Sequence, residues 1–220
     1  MRILHVVPTY IPAYRYGGPI YSVHGLCRAL ARRGHQVEVF TTNVDGPGDT
    51  DVALEQAVDV DGVTVWYFPS HRLRRLYWSP PMGAALSARV RDFDVMHLHS
   101  VFLWPTWAAA RAARRSGVPY LLAPRGMLVT DLIRRKSWLL KSAWIRLIER
   151  QNLASAAALH VTTETEAREA RGLELPLPRV VCVPNGVDLP PTALQDGGLP
   201  AGVVGGEYVL FLGRVCGTSM

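Results

Sequence analysis

The stretch YRYGGPIYSVHGLCRALARRGHQVEVFTT, residues 14–42, holds a loop, a helix and a strand in one continuous run. Its middle part carries apolar side chains three and four residues apart, which is the spacing of one buried helix face. Arg32, Arg33 and Gly34 follow, and basic residues ahead of a glycine are typical of the carboxyl end of a helix. Because the apolar run RILHVV at residues 2–7 precedes the loop, this part of the chain predicts a β-α-β unit.

The same alternation of short apolar runs and helical stretches continues along the chain. Runs of strand character occupy residues 2–7, 36–42, 63–68, 94–99, 119–123, 158–162 and 179–184, and helical stretches occupy residues 19–34, 80–92, 105–117 and 137–155. Nearly continuous apolar strands indicate burial on both faces. We therefore predict an α/β fold of Rossmann type, with a doubly wound, mainly parallel sheet and helices on both of its faces.

The composition changes after this alternating region. A segment rich in proline and glycine, without hydrophobic periodicity, is followed by the apolar run YVLFLGRV at residues 208–215. We predict a first domain over residues 1–190, a linker over 191–206, and the first strand of a second domain over 207–220.

Composition and charge restrict the class of protein. Hydrophobic residues make up 49% of the 220 residues, which is typical of a globular protein with a substantial core. No apolar run approaches the roughly 20 residues that cross a bilayer, and the first residues do not resemble a signal peptide. We therefore expect a cytoplasmic protein. Cys27, Cys182 and Cys216 lack the spacing of a zinc site and are odd in number, so we expect reduced thiols and no metal centre.

The net charge of +6 suits a phosphorylated substrate, an anionic membrane surface or a nucleic acid. The basic residues are scattered and no nucleic-acid recognition motif is present, which argues against nucleic acid. Residues 133–150 combine tryptophans and aliphatic side chains with arginines and lysines. Such a helix could lie on anionic lipid, at the inner face of a membrane, or pack on the sheet with its charges in solvent.

In open α/β sheets, ligands bind beyond the carboxyl ends of the strands. Gly17 and Gly18 follow the first strand and open the first helix, where they could leave room for a phosphate or simply form a turn. The pair lacks the spacing of a dinucleotide or P-loop motif. His97 and His99 share one face of the fourth apolar run, and His99, at its end, is the better candidate for reaching solvent or substrate. The alternative is that these histidines only form hydrogen bonds within the sheet edge.

Three further candidates follow later strands. Arg125, in APRGML, could meet a phosphate or carboxylate group, or could be a surface residue. In VTTETEA, Thr162 or Thr163 precedes Glu164 and Glu166 and is a good helix N-cap, which would by itself account for these threonines. Asn185, in PNGVD, belongs to a predicted turn.

Taken in order, these motifs resemble the family 4 retaining glycosyltransferases, which have the two-domain GT-B fold. The segments that carry the resemblance are MRILHVVPTYIPAYRYGGP, LARRGHQVEVFTT, DVMHLHS, APRGML, VTTETEA, PNGVD and FLGR. They extend from residue 1 to Arg214, and the chain resembles above all enzymes of bacterial surface-polysaccharide assembly. The resemblance implies the N-terminal, acceptor-side half of a GT-B fold.

The resemblance also implies an activity and roles. Such enzymes transfer a sugar from a nucleoside-diphosphate donor to an acceptor hydroxyl with retention of configuration, usually without a metal or other cofactor. Gly17 and Gly18 would approach the donor, His99 would lie beside the reacting sugar, and Arg214 would neutralise the departing diphosphate. Arg125, Thr163 and Asn185 would contact acceptor or substrate. The expected partners are a nucleotide sugar and a glycan or lipid-linked acceptor.

The chain departs from the family pattern in three places. Arg125 stands where relatives often have histidine, the segment after Arg214 does not lead to the lysine that contacts phosphate, and the paired glutamates of the second domain are absent. We therefore expect this chain alone to be inactive or nearly so. The alternative is a Rossmann-type module that binds a glycolipid or membrane surface without catalysis. A nicotinamide-dependent oxidoreductase is disfavoured because the dinucleotide motif is missing.

Overall fold

The computed structural model of the chain describes residues 1–128 and 143–188, and Met1–Val187 forms one compact unit. Its strands are β1 (Arg2–Val6), β2 (Gln36–Thr42), β3 (Val44–Asp45), β4 (Gly48–Asp49), β5 (Ala57–Val60), β6 (Val63–Phe68), β7 (Val95–His99), β8 (Tyr120–Ala123), β9 (Ala158–Val161) and β10 (Val180–Cys182). Its helices are α1 (Gly18–Arg32), α2 (Pro80–Arg89), α3 (Trp104–Ser116), α4 (Arg150–Ala154) and α5 (Glu164–Arg171). A π-helical turn, Ile145–Glu149, leads into α4, and short 3-10 turns lie at Tyr14–Tyr16, Arg74–Leu76 and Val90–Asp92.

Eight of the strands form one sheet in the order β10-β9-β8-β7-β1-β2-β6-β5. Neighbouring strands run parallel, except that β5 pairs antiparallel with β6 at the edge. The predicted α/β class with a mainly parallel, Rossmann-like sheet is therefore confirmed. All seven predicted strands are present. The edge strand β5 and the small β3–β4 hairpin were not predicted, because their short, partly polar sequences lack the continuous apolar pattern of the buried strands.

The two faces of the sheet carry separate apolar layers. On one face, Leu4 and Val6 of β1 pack in a core with Met82 and Leu86 of α2. On the other, Val37 and Val39 of β2 pack with Val23 and Cys27 of α1, among other residues. Alternate side chains of one strand point to opposite faces, so His5 of β1 lies on the face opposite Leu4 and Val6. Helices cover both faces, as predicted.

Several predictions fall wholly or partly outside the described residues. The linker over 191–206, the strand over 207–220, Cys216 and Arg214 lie there, as does the first part of the helical stretch 137–155. Cys27 and Cys182 are free thiols. Among residues 1–128 and 143–188, no helix combines the length and the apolar character that crossing a bilayer requires.

Candidate functional site

The sheet changes its direction of winding between β1 and β7. From β1 the chain proceeds outward through β2 and β6, and from β7 it proceeds the other way through β8, β9 and β10. A ligand crevice forms beyond the carboxyl ends of the strands at such a point. On this side, the segments after β1, β8, β9 and β10 enclose an open cleft of about 440 Å³. Its lining includes Gly18, Ser22, Arg125, Thr163, Glu166 and Asn185.

The two glycines after β1 have different roles. Gly17 has φ 69° and ψ −135°, a backbone conformation that essentially only glycine adopts without strain, and it immediately precedes α1. Gly18 begins α1, and a Cβ added there meets no heavy atom within 4 Å. The N-cap residue, Gly17, has no side chain with which to cap α1, so the positive end of the helix dipole lies at the cleft. Gly17 is thus needed for the turn, whereas Gly18 leaves open space in the cleft.

Arg125 enters the cleft from the turn after β8. Its φ is 55° and that of Gly126 is 75°, so a tight left-handed turn reverses the chain here. The Nε and Nη2 groups of Arg125 each lie 3.3 Å from Nδ1 of His99, and Nη1 donates to Oδ1 of Asn185 at 2.7 Å. The side chain therefore connects the last residue of β7 with the segment that follows β10.

His99 does not reach solvent as the sequence suggested, because only 2% of it is exposed. Arg125 lies over one ring nitrogen, and the other, Nε2, lies 3.0 Å from Nδ1 of His5 on the neighbouring strand. The two rings are nearly parallel, at 11° and 5.3 Å between centroids. The parallel pairing of β1 with β7 brings these residues together across 94 positions of sequence.

Two more histidines extend the cluster across the sheet. Nε2 of His97 lies 3.1 Å from Nδ1 of His160, and Nε2 of His160 lies 3.0 Å from the carbonyl oxygen of Val183. His97 and His99 share one face, as predicted, with 4.2 Å between their ring centroids. We refer to His5, His97, His99 and His160 as the histidine cluster.

The surroundings keep the histidine cluster neutral. Burial lowers the pKa of His5 to about 3, and the charge of Arg125 and the neighbouring His160 act in the same direction. Burial, followed by neighbouring imidazoles and Arg125, holds the pKa values of His97 and His99 well below the ordinary value of 6.5. Burial also lowers the pKa of His160, against the opposing effect of its bond to Val183. These rings are therefore uncharged near pH 7 and each offers one donor and one acceptor.

One nitrogen from each of His5, His97 and His99 lies within 4.8 Å of the others, which is a spacing that could hold a metal ion. A metal on Nε2 of His99 would place the remaining ring proton on Nδ1, where two N–H groups of Arg125 already point. Metal-binding histidines normally donate their second nitrogen to an acceptor. In this structure the N–H groups of the Arg125 guanidinium occupy that position, so the surroundings of His99 disfavour a metal ion on its Nε2.

Glu166 joins two of the loops at the cleft. Thr163 caps α5 by accepting from the backbone N–H of Glu166 at 3.1 Å, as the sequence predicted. The carboxylate of Glu166, which is 5% exposed, accepts from the backbone N–H of Gly126 at 2.7 Å and from that of Thr162 at 2.8 Å. Its two oxygens therefore fix the turn of Arg125 to the amino end of α5.

The structure brings together most of the predicted site residues. Gly18, Arg125, Thr163 and Asn185 line the cleft, Gly17 adjoins it, and His99 lies beneath Arg125. The predicted turn at PNGVD is absent, since residues 183–188 are irregular, and Oδ1 of Asn185 accepts from Arg125. Arg214 lies outside the described residues.

Three residues of the site were not singled out from the sequence for their roles in it. His5 was missed, although a lone polar residue inside the apolar run RILHVV is an unusual feature. His160 has the same signal in its own strand. Glu166 was recognised only near a helix cap, whereas its carboxylate bonds to Gly126, 40 residues earlier in the chain.

The fold and the cleft define this unit as a Rossmann-type domain with an open cleft at its topological switch point. The model of the glycosyl transferase 4-like domain family matches residues 17–186. The chain belongs to that family of glycosyltransferases. A comparison with curated proteins found no significant match.

Several solved structures have a similar fold. Sucrose-phosphate synthase from Thermosynechococcus elongatus matches with a TM-score of 0.60 at 16% identity, covering 86% of this chain and 49% of that one. HepE from Anabaena, in complex with UDP and glucose, matches with a TM-score of 0.55 at 15% identity, covering 86% of this chain and 45% of that one. The catalytic domain of starch synthase IV from Arabidopsis thaliana, bound to ADP and acarbose, matches with a TM-score of 0.54 at 14% identity, covering 86% of this chain and 52% of that one. The chain thus spans about half the length of these structures, whose shared fold is the GT-B type.

Proposed function

We propose that the chain forms one side of the cleft of a retaining glycosyltransferase, which moves a sugar from a nucleoside-diphosphate donor to a glycan or lipid-linked glycan. The observation that carries this proposal is the convergence of an uncapped helix end at Gly18 with the guanidinium of Arg125 in one cleft. Both favour an anionic ligand. Similar structures contain UDP with glucose or ADP with acarbose, which supports a nucleotide sugar as the ligand.

Arg125 and the amino end of α1 would offset the negative charge of the donor diphosphate without a metal ion or other cofactor. Three of the five guanidinium N–H bonds of Arg125 point to His99 and Asn185 within the described residues, and the other two would meet the phosphate oxygens. By the family resemblance, Arg214 would add a second cation. His99 lies beneath Arg125 and would approach the sugar only from that side. We therefore assign His99 first to positioning the side chain of Arg125.

The first test is binding of the donor by the 220-residue chain. Saturation-transfer NMR with UDP-glucose, ADP-glucose and GDP-mannose should give a signal from at least one nucleotide sugar. Gly18→Val should weaken it strongly, because the valine side chain would lie in the cleft at the amino end of α1. Gly25→Val is the matched control, because Gly25 lies in the same helix and a Cβ there also meets nothing within 4 Å. Equal losses in both variants, or no signal from any donor, would contradict the proposal.

The catalytic part of the proposal concerns a longer protein. We propose that the 220 residues alone transfer sugar at or near the background rate, since the similar structures are about twice as long. Joined to a nucleotide-binding GT-B domain, the chain should yield a product with the donor's anomeric configuration, as read by proton NMR. An inverted product would refute the retaining mechanism, and full turnover by the chain alone would refute its inactivity.

A second candidate function, contact with an anionic membrane at its cytoplasmic face, is favoured by a basic surface away from the cleft. Trp107, Arg111, Arg114, Arg115 and Gln151 line an open depression of about 360 Å³. Leu147, one turn before Gln151, is 75% exposed. Basic side chains around exposed apolar groups suit anionic lipid.

Liposome sedimentation tests the membrane proposal. The chain should pellet with vesicles containing phosphatidylglycerol but not with pure phosphatidylcholine vesicles, and Arg111→Gln with Arg115→Gln should weaken that binding severalfold. Arg168→Gln with Arg171→Gln, at exposed positions of α5, is the control pair. If both pairs of substitutions weaken vesicle binding equally, the depression is not the surface that contacts lipid.

A further inference from the structure

We propose that His5 is a positioning residue, which holds the guanidinium of Arg125 at the cleft by fixing the tautomer of His99. The inference rests on the proposed function, in which Arg125 meets the donor diphosphate. It adds a residue that is fully buried and that, among the described residues, is connected to the cleft through the side chain of His99.

The order of donors along these contacts allows a single arrangement of protons. Nε and Nη2 of Arg125 can only donate, so Nδ1 of His99 must be the acceptor. The neutral ring of His99 then carries its proton on Nε2 and donates it to Nδ1 of His5 at 3.0 Å. The proton of His5 must therefore lie on Nε2. That atom is buried and, among the described residues, has no hydrogen-bond partner.

The unpartnered Nε2 of His5 shows what this side chain contributes. Burying an N–H without an acceptor is unfavourable, so the cluster is not arranged for stability alone. The atom that His5 uses is Nδ1, the acceptor for His99. If that acceptor were absent, the proton of His99 could move to Nδ1, where it would face the N–H groups of Arg125 and displace the guanidinium.

Asparagine and leucine provide a matched pair of substitutions at His5. Both have the same branched shape, but only asparagine has an oxygen where histidine has Nδ1. His5→Asn should therefore preserve the tautomer of His99, and His5→Leu should not. Two-bond proton–nitrogen NMR spectra report the tautomer of each histidine ring directly, without any donor or activity.

In the unmodified chain, His99 should carry its proton on Nε2, with a nitrogen–nitrogen coupling to His5 across the hydrogen bond. This measurement needs no variant, so a failure of His5→Leu to fold would not prevent the test. In His5→Leu the spectrum should shift to the Nδ1-protonated form or a mixture. The affinity for UDP-glucose should fall at least tenfold in His5→Leu and stay within threefold in His5→Asn.

The outcomes separate this inference from the proposed function. A His99 ring protonated on Nδ1 in the unmodified chain, or an unchanged tautomer in His5→Leu, would overturn the positioning role. If the tautomer of His99 changes but binding of UDP-glucose does not, His5 does fix the tautomer, and the proposed contact of Arg125 with the donor diphosphate is refuted. If micromolar Zn²⁺ shifts the resonances of both His5 and His99, the cluster is a metal site and the inference is wrong.

Discussion

Mild acid is expected to destabilise this domain strongly, because its buried histidine cluster must stay neutral in the folded state. The ordinary pKa of histidine is 6.5, and that of His5 in the folded chain is about 3. Between these values the unfolded chain binds a proton that the folded chain does not, so the free energy of unfolding falls as the pH decreases through this window. Above pH 6.5 both states are neutral and this destabilisation disappears.

The magnitude follows from the linkage relation. At pH 5, which is 1.5 units below the ordinary pKa, the neutral His5 costs about 2 kcal/mol at 1.36 kcal/mol per unit. The pKa values of His97, His99 and His160 are lowered too, so their contributions have the same sign. Burial raises the pKa of Glu149, which opposes this trend as that group protonates. Domains are stable by only about 5–15 kcal/mol, so the histidine cluster can remove much of that stability.

Urea unfolding followed by circular dichroism at several pH values between 8 and 5 measures the effect. Above pH 6.5 the free energy of unfolding should not change through these groups, and below pH 6.5 it should fall by up to about 1.4 kcal/mol per pH unit for each histidine that remains neutral. His5→Asn should reduce this slope by one such contribution. Val6→Ala, on the opposite face of the same strand, should lower stability by roughly 2 kcal/mol at every pH and leave the slope unchanged. A free energy of unfolding that is flat from pH 7 to pH 5, or an unchanged slope in His5→Asn, would refute the reasoning.

Two substitutions near the cleft test the local geometry. Gly17→Ala should lower the free energy of unfolding in urea by about 1–3 kcal/mol, because the φ of Gly17 is 69° and its ψ is −135°. Gly18→Ala should change it by less than about 0.5 kcal/mol. Equal effects of the two substitutions would contradict the different roles of these glycines. Glu166→Gln should lower the free energy of unfolding by about 1–3 kcal/mol, because the amide nitrogen of glutamine would face the backbone N–H of either Gly126 or Thr162. An unchanged free energy of unfolding would show that these hydrogen bonds contribute little.

Local sequence determined the elements of this fold. Apolar runs and helical spacing are properties of neighbouring residues, so seven of the eight strands of the main sheet, and most of the helices between them, could be predicted directly. The edge strand Ala57–Val60 was not predicted, because its apolar pattern is short and half of its residues are exposed. The general rule that carboxyl ends of parallel strands meet at one edge also placed Gly18, Arg125, Thr163 and Asn185 around a common site.

Tertiary structure decided the chemistry of that site. The pairing of β1 with β7 brings His5 against His99 from 94 residues away, and no local pattern specifies that register. Burial of His99 beneath Arg125 depends on the turn after β8, which Glu166 fixes from 40 residues further along the chain. A side chain's type can be read from the sequence. Its protonation state and its partners depend on solvent exclusion and on neighbours that only the packed fold supplies.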